Sequence, residues 1–154
     1  MRIAILADTH VDRLEYLPQK VIDALPGVDL IVHAGDFTDL KLLTDLKQLK
    51  EVKAVHGNMD SSQLKSILPT KEVFETDGKR IGITHGSGTP WGIEERVRRL
   101  FESDLTDIIV YGHSHQSQNK VINGILFFNP GKAADSFGII TIDGEARGEV
   151  ISSR

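Results

Sequence analysis

Three short apolar runs, RIAILA (2–7), DLIVHA (29–34) and EVKAVH (51–56), are separated by stretches whose apolar residues recur at helical spacing. Leu14, Leu17, Val21, Ile22 and Leu25 line one helical face before Pro26-Gly27 stops the first stretch, and Leu40, Leu43, Leu46 and Leu49 line the second. Strand–helix–strand alternation of this kind calls for parallel pairing with right-handed crossovers. The first half of the chain is therefore expected to be α/β.

The second half is patterned differently. KEVFETDGKRIGITH (71–85), NKVINGILFFN (119–129) and FGIITIDGEARGEVIS (137–152) each read as two strands, about Asp77-Gly78, Asn123-Gly124 and Asp143-Gly144. WGIEERVRRLFES (91–103) reads as a helix and DIIVYG (107–112) as a further strand. A parallel half would pass into an antiparallel half. Two facing mixed β-sheets flanked by helices would bury both, in one domain over residues 1–154. A chain of 154 residues that is 40% hydrophobic can bury such a core.

The runs end in residues that bind metals well. The first gives Asp8 and His10, the second Asp36, and the third Asn58 with Asp60 nearby. ITHG gives His85, and the two histidines of VYGHSH are His113 and His115. Ligands in open α/β sheets sit off the carboxyl ends of strands, so these side chains are expected to converge. Gly35, Gly57 and Gly112 each precede one of them, and glycine permits sharp turns and close backbone approach. Taken singly, DTH reads as a helix cap or turn, GN as a turn, and a strand-end histidine as a surface residue. Together they place four of the six histidines and both strand-end aspartates on one topological edge, which favours a metal site.

Composition narrows the chemistry. The chain has no cysteine, which excludes disulfides, thiolate catalysis and thiolate metal sites. Any metal must use His, Asp, Glu, Asn and water. A formal net charge of −4 argues against a broad nucleic-acid surface and hence against a nuclease. The first apolar run is broken at Asp8, short for a secretory leader. No stretch approaches the ~18 apolar residues of a membrane span, so no membrane partner and a cytoplasmic location are expected.

In this order, Asp8-Thr9-His10, Gly35-Asp36, Gly57-Asn58-Met59-Asp60, His85 and Gly112-His113-Ser114-His115 resemble the calcineurin-like metallophosphoesterase superfamily. The chain's size, its final hairpins and FFNPGK are similar to the small YfcE-like phosphodiesterase branch. The resemblance implies a four-layer αββα sandwich and a metal-dependent phosphodiesterase or phosphatase acting on a small phosphoester. It assigns Asp8, His10, Asp36 and His115 to one metal ion, and Asp36, Asn58, His85 and His113 to the other. Asp36 would bridge the pair. Two-metal hydrolases hold their ions ~3.5–4 Å apart, acidify bound water and clamp the attacking and leaving oxygens of an in-line displacement at phosphorus. Ligation by O and N without thiolate suits Mn²⁺, with Zn²⁺, Ni²⁺ and Mg²⁺ as alternatives. The competing reading is a protein-binding scaffold of the same fold. The resemblance leaves oligomeric state open, homo-oligomers included.

The chain departs from the family pattern at several points. Met59 stands where many relatives have a histidine that acts on the leaving group, and it is expected to pack against the core. His56 is a candidate catalytic residue, as phosphate contact or proton donor, against the alternative of a surface histidine. Asp60 is expected to orient a neighbour, and His33 to be a core histidine or a support for a ligand. Ser87 replaces a second imidazole and is a candidate phosphate contact or turn residue. Lys132 is expected to be solvated, with contact to substrate phosphate as the alternative, and Trp91 to be packed, with a place on the rim of the site as the alternative.

Overall fold

The computed structural model describes residues 1–154. The first sheet holds β1 (Arg2–Leu6), β2 (Leu30–His33) and β3 (Val52–Ala54), all parallel. The second holds β4 (Lys71–Thr76), β5 (Lys79–Thr84), β6 (Ile108–Val110), β7 (Gln118–Ile122) and β8 (Ile125–Asn129) in the order β4-β5-β6-β8-β7. The last two strands, β9 (Ser136–Asp143) and β10 (Glu145–Ser152), return to the first sheet, giving β10-β9-β1-β2-β3. The sheets therefore do not correspond to the two halves of the chain. The second half is not wholly antiparallel either, because β5, β6 and β8 run parallel. The long returns that make these pairings lie beyond what a local pattern reveals.

Side chains of the central strands alternate between two cores. Ile3, Ile5, Leu30 and Val32 face the second sheet and meet Ile83, Val110 and Phe128. Ala4, Leu6 and Ile31 face outward onto α1 (Gln19–Ala24), α2 (Leu40–Leu49) and α3 (Ser62–Ile67), through Val21, Leu43, Leu46 and Leu64. On the far side, Ile93 and Val97 of α4 (Ile93–Leu100) pack with Phe101 on Ile109, Tyr111 and Phe127. Burial on both faces explains why β1 and β2 read as continuous apolar runs. The layers are helix, sheet, sheet, helix, as expected.

The single helix expected over Leu14–Leu25 is divided. A 3₁₀ turn spans Leu14–Tyr16, Leu17 is extended, and α1 starts only after Pro18. Proline lacks an N–H and disfavours helical backbone at the residue before it. The apolar face survives the break, since Leu17, Val21 and Leu25 are all buried. α3 has no counterpart in the sequence reading; six residues are too few for periodicity, although Ser61 caps it by accepting the Leu64 N–H at 3.2 Å. The turns at Asp77-Gly78 and Asn123-Gly124 have positive φ at both residues, the tight hairpin type their sequences signal. The third expected pair turns about Gly144 alone. No helix is long and apolar enough to cross a membrane.

Candidate metal centre

The loops leaving β1, β2, β3, β5 and β6 meet at one point. Asp8, His10, Asp36, His113 and His115 all have φ between 50° and 67°, in the left-handed region that costs a non-glycine residue energy. Such strain persists only where surrounding bonds impose it, and here those bonds are visible. Asp8 N–H donates to Gly35 O at 3.0 Å, and His10 N–H to Asp36 O at 3.2 Å. Asp60 gathers three more N–H groups, from Asp36 (3.0 Å), Gly57 (2.7 Å) and Thr38 (2.8 Å), which locks the GD loop to the GN loop. Asp60 thus orients its neighbours, as expected. A Cβ on Gly57 would collide with the Asp36 carboxylate, so this close approach requires glycine.

Both carboxylates are held by one oxygen and aimed with the other. Asp8 Oδ2 accepts the His113 N–H at 3.1 Å, and Asp36 Oδ1 accepts the Met59 N–H at 2.8 Å. Asp36 Oδ2 then lies 3.3 Å from His85 Nε2 and 3.9 Å from His10 Nε2. Asp8 Oδ1 lies 3.5 Å from His115 Nε2 and 3.9 Å from His85 Nε2. The outer ring nitrogens are committed elsewhere. His85 Nδ1–H donates to Ala34 O at 2.7 Å, and His113 Nε2–H to Gly88 O at 2.8 Å. Those bonds fix the tautomers and turn a lone pair of each ring inward. His85 Nε2 therefore meets His113 Nδ1 at 3.3 Å and Asn58 Oδ1 at 3.1 Å.

The seven residues singled out in the sequence are thus brought together, with inward atoms that are nearly all acceptors. Asp8 Oδ1 and His10 Nε2 are buried and have no hydrogen-bond partner. A buried polar atom without a partner costs about 1–3 kcal/mol. Two groups, Asp8/His10/His115 and Asp8/Asp36/His85, have ligand atoms within 4.8 Å of one another. This donor set fits divalent cations, which satisfy converging lone pairs where no donor is present.

Charge coupling agrees. Burial pushes the Asp8 carboxyl up to about 7, with His85 opposing the rise and Asp36 adding to it. For Asp36, burial favours the neutral form, but its hydrogen bond to His85 and that ring's charge outweigh burial and hold it below the usual carboxylate range. Burial likewise opposes the charged form of His85, yet the bond to Asp36 and the Asp36 charge raise it above the ordinary imidazole value.

His33 supports the loops from below. It is fully buried and stacked on Phe37, with ring centroids 3.5 Å apart. Its Nδ1 accepts the Gly35 N–H at 3.1 Å, so Nε2 carries the proton toward Thr9 Oγ1 at 3.0 Å. Burial pushes its imidazole down to about 3, with the neighbouring His85 charge assisting. A histidine with a depressed folded-state value contributes stability that is present above about 6.5 and is lost as pH falls toward 3. Its share amounts to about 1.4 kcal/mol per pH unit in that window. Denaturant titrations between pH 6.5 and 4.5 should show wild type losing stability more steeply than His33→Gln; parallel profiles would contradict a buried neutral His33.

The structure corrects two expectations. Met59 does not pack against the core but is 60% exposed, because its N–H is drawn to Asp36 and its side chain is turned outward. Trp91 is 87% exposed rather than packed. Among the remaining residues, His56 is half-buried, with Nδ1 3.3 Å from Gly57 O. Ser87 is exposed and Lys132 is partly buried, near enough to His115 to help lower its proton affinity after burial and His10.

Two supports escaped the sequence reading. Asn129 is fully buried and its Nδ2 donates to Gly112 O and Ser114 Oγ, both at 3.1 Å, which secures the GHSH loop. Arg96 donates to the carbonyls of Ser87, Thr89 and Trp91, tying down the loop whose Gly88 carbonyl holds His113. Nothing in EERVRRL separates Arg96 from its solvated neighbours. Asn129 stands in FFNPGK, where a polar residue ending an apolar strand was the available signal.

Residues 1–143 match the calcineurin-like phosphoesterase superfamily domain. A probable metallophosphoesterase of Methanothermobacter thermautotrophicus is 35% identical over 152 residues, covering 94% of this chain and 88% of that protein. A phosphodiesterase of Methanocaldococcus jannaschii is 28% identical over 159 residues, covering 92% and 90%. Among solved structures, Vps29 of Entamoeba histolytica complexed with Zn²⁺ superposes with a TM-score of 0.78 at 25% identity, covering all of both chains.

Proposed function

This chain belongs to the calcineurin-like phosphoesterase superfamily, and from that premise we propose that it is a phosphodiesterase working with two divalent metal ions, Mn²⁺ foremost. The observation that carries the reading is the convergence of acceptor atoms, two of them buried without partners, on one point between the sheets. Asp8, His10, Asp36 and His115 would hold one ion, and Asp36, Asn58, His85 and His113 the other. Asp36 Oδ2 lies 3.9 Å from His10 Nε2 and 3.3 Å from His85 Nε2, so Asp36 would serve both ions. When bound, the ions supply Lewis acidity and make hydroxide available from water near neutral pH.

The remaining contributions come from the chain itself. Asn58 offers a neutral oxygen, so two carboxylates leave the loaded centre positive and attractive to a phosphodiester anion. The fixed loops keep the ligands from reorganising as charge develops at phosphorus. His56, a wall residue of the adjoining cleft with Nδ1 3.3 Å from Gly57 O, is a candidate contact for a phosphate oxygen. The likeness to a relative named as a phosphodiesterase supports diesters over monoesters.

A protein-binding scaffold is the second reading, favoured by the exposed Met59 side chain, which has no proton to give. Assay of bis-p-nitrophenyl phosphate separates the two. Turnover that chelation abolishes and Mn²⁺ restores is expected; absence of turnover with any divalent ion would favour the scaffold.

A further inference from the structure

Beside the centre, on the His85 and Asn58 side, lies a cleft of about 460 Å³ with no carboxylate in its walls. Lys65 and Arg96 line it, with His56, Thr70, Thr84 and Ser87. This is a departure for a chain in which Asp and Glu outnumber Lys and Arg by 22 to 18. Several cations elsewhere are paired with carboxylates, among them Lys71 with Asp104, Arg80 with Glu75, Arg98 with Glu95 and Lys120 with Glu94. Lys65 and Arg96 have only carbonyl partners. Lys65 Nζ donates to Asn58 O at 3.1 Å, and the Arg96 guanidinium is spread over three loop carbonyls. Those bonds fix the two positive charges in place without neutralising them.

We propose that this cleft receives a second anionic group of the substrate, a phosphate or carboxylate carried on an ester arm apart from the scissile phosphorus. The substrate class is then a phosphodiester with additional negative charge. This rests on the phosphodiesterase reading and narrows it. A neutral arm would leave Lys65 and Arg96 to solvent, whereas an anionic arm gains charge-assisted hydrogen bonds from the uncommitted Lys65 N–H groups, with the Arg96 charge adding to the attraction. Arg96 also fixes the loop that carries Gly88, so the cation and the orientation of His113 share one support.

The test uses three alkyl p-nitrophenyl phosphate diesters whose alkyl arm ends in phosphate, carboxylate or hydroxyl. Loss of diester is followed by ³¹P NMR on Mn²⁺-loaded protein. The phosphate-ended ester should exceed the hydroxyl-ended one in kcat/KM by about tenfold. The ratio should shrink as salt is raised and fall toward one in Lys65→Gln. The carboxylate arm distinguishes the two anion types. Calorimetric binding of propane-1,3-bisphosphonate against propylphosphonate repeats the comparison without turnover, and the bisphosphonate should bind about tenfold tighter in wild type alone. Equal affinities, or a ratio that Lys65→Gln leaves unchanged, would overturn the inference even in an active enzyme. A retained affinity difference with no hydrolysis of any ester would instead overturn the phosphodiesterase reading and leave the anion site standing.

Discussion

Asp36→Asn is expected to strip both metal ions together and to lower phosphodiester turnover by at least about 10³-fold. The magnitude follows from losing several kcal/mol of charge stabilisation, at 1.36 kcal/mol per factor of ten. The substitution is nearly isosteric, so its effect is chemical. The Met59 N–H, which donates to Asp36 Oδ1 at 2.8 Å, would select the new amide oxygen. The amide NH₂ would then occupy the place of Oδ2, presenting donors to His10 and His85, where a ligand atom is needed. One substitution thus removes a shared ligand and a negative charge. His115→Ala should first weaken the ion held with Asp8 and His10, and His85→Ala the ion held with Asn58 and His113. Metal titrations followed by elemental analysis check all three. An Asp36→Asn protein that keeps one ion at unaltered affinity would show that Asp36 does not bridge.

The second large effect concerns the leaving group. General acid catalysis is typically worth ~10²–10⁴-fold. Met59 has no proton to donate, and its side chain points into solvent. Aryl diesters such as bis-p-nitrophenyl phosphate should therefore turn over well and simple alkyl phosphates poorly, with rates falling steeply as leaving-group pKa rises. His56 is the imidazole in the adjoining cleft that the metal ions do not claim. A leaving-group series on wild type and His56→Ala distinguishes the cases. Steep dependence in both is the expected result. A shallow dependence in wild type that steepens in the variant would make His56 the proton donor, and a shallow dependence in both would contradict the assignment of Met59 as a lost acid.

Much of the centre was legible because its information is local. Each motif is a few residues at the end of an apolar run, and the run, the glycine and the ligand are contiguous. The hairpins at Asp77-Gly78 and Asn123-Gly124 were legible for the same reason, since backbone with φ > 0 at both positions selects those residue pairs. What escaped depends on distance or on the direction of a side chain. The return of β9 to pair with β1 joins Ile3 to Ile140, and no local pattern specifies that register. The break at Pro18 was present in the sequence but outweighed by an apolar period that continues across it. Met59 and Trp91 read as core residues by type, although type alone says nothing about which way a loop turns. Arg96 acts through carbonyls, which every residue carries and no motif marks.

Two ions sharing Asp36 are the core of this account, and anomalous diffraction from crystals of the Mn²⁺-loaded protein tests it most directly. Data collected on either side of the manganese edge should show two peaks. One should lie among Asp8, His10, Asp36 and His115, and the other among Asp36, Asn58, His85 and His113, with one Asp36 oxygen reaching both. No peak under saturating Mn²⁺, or a single ion with Asp36 on one side only, would contradict it.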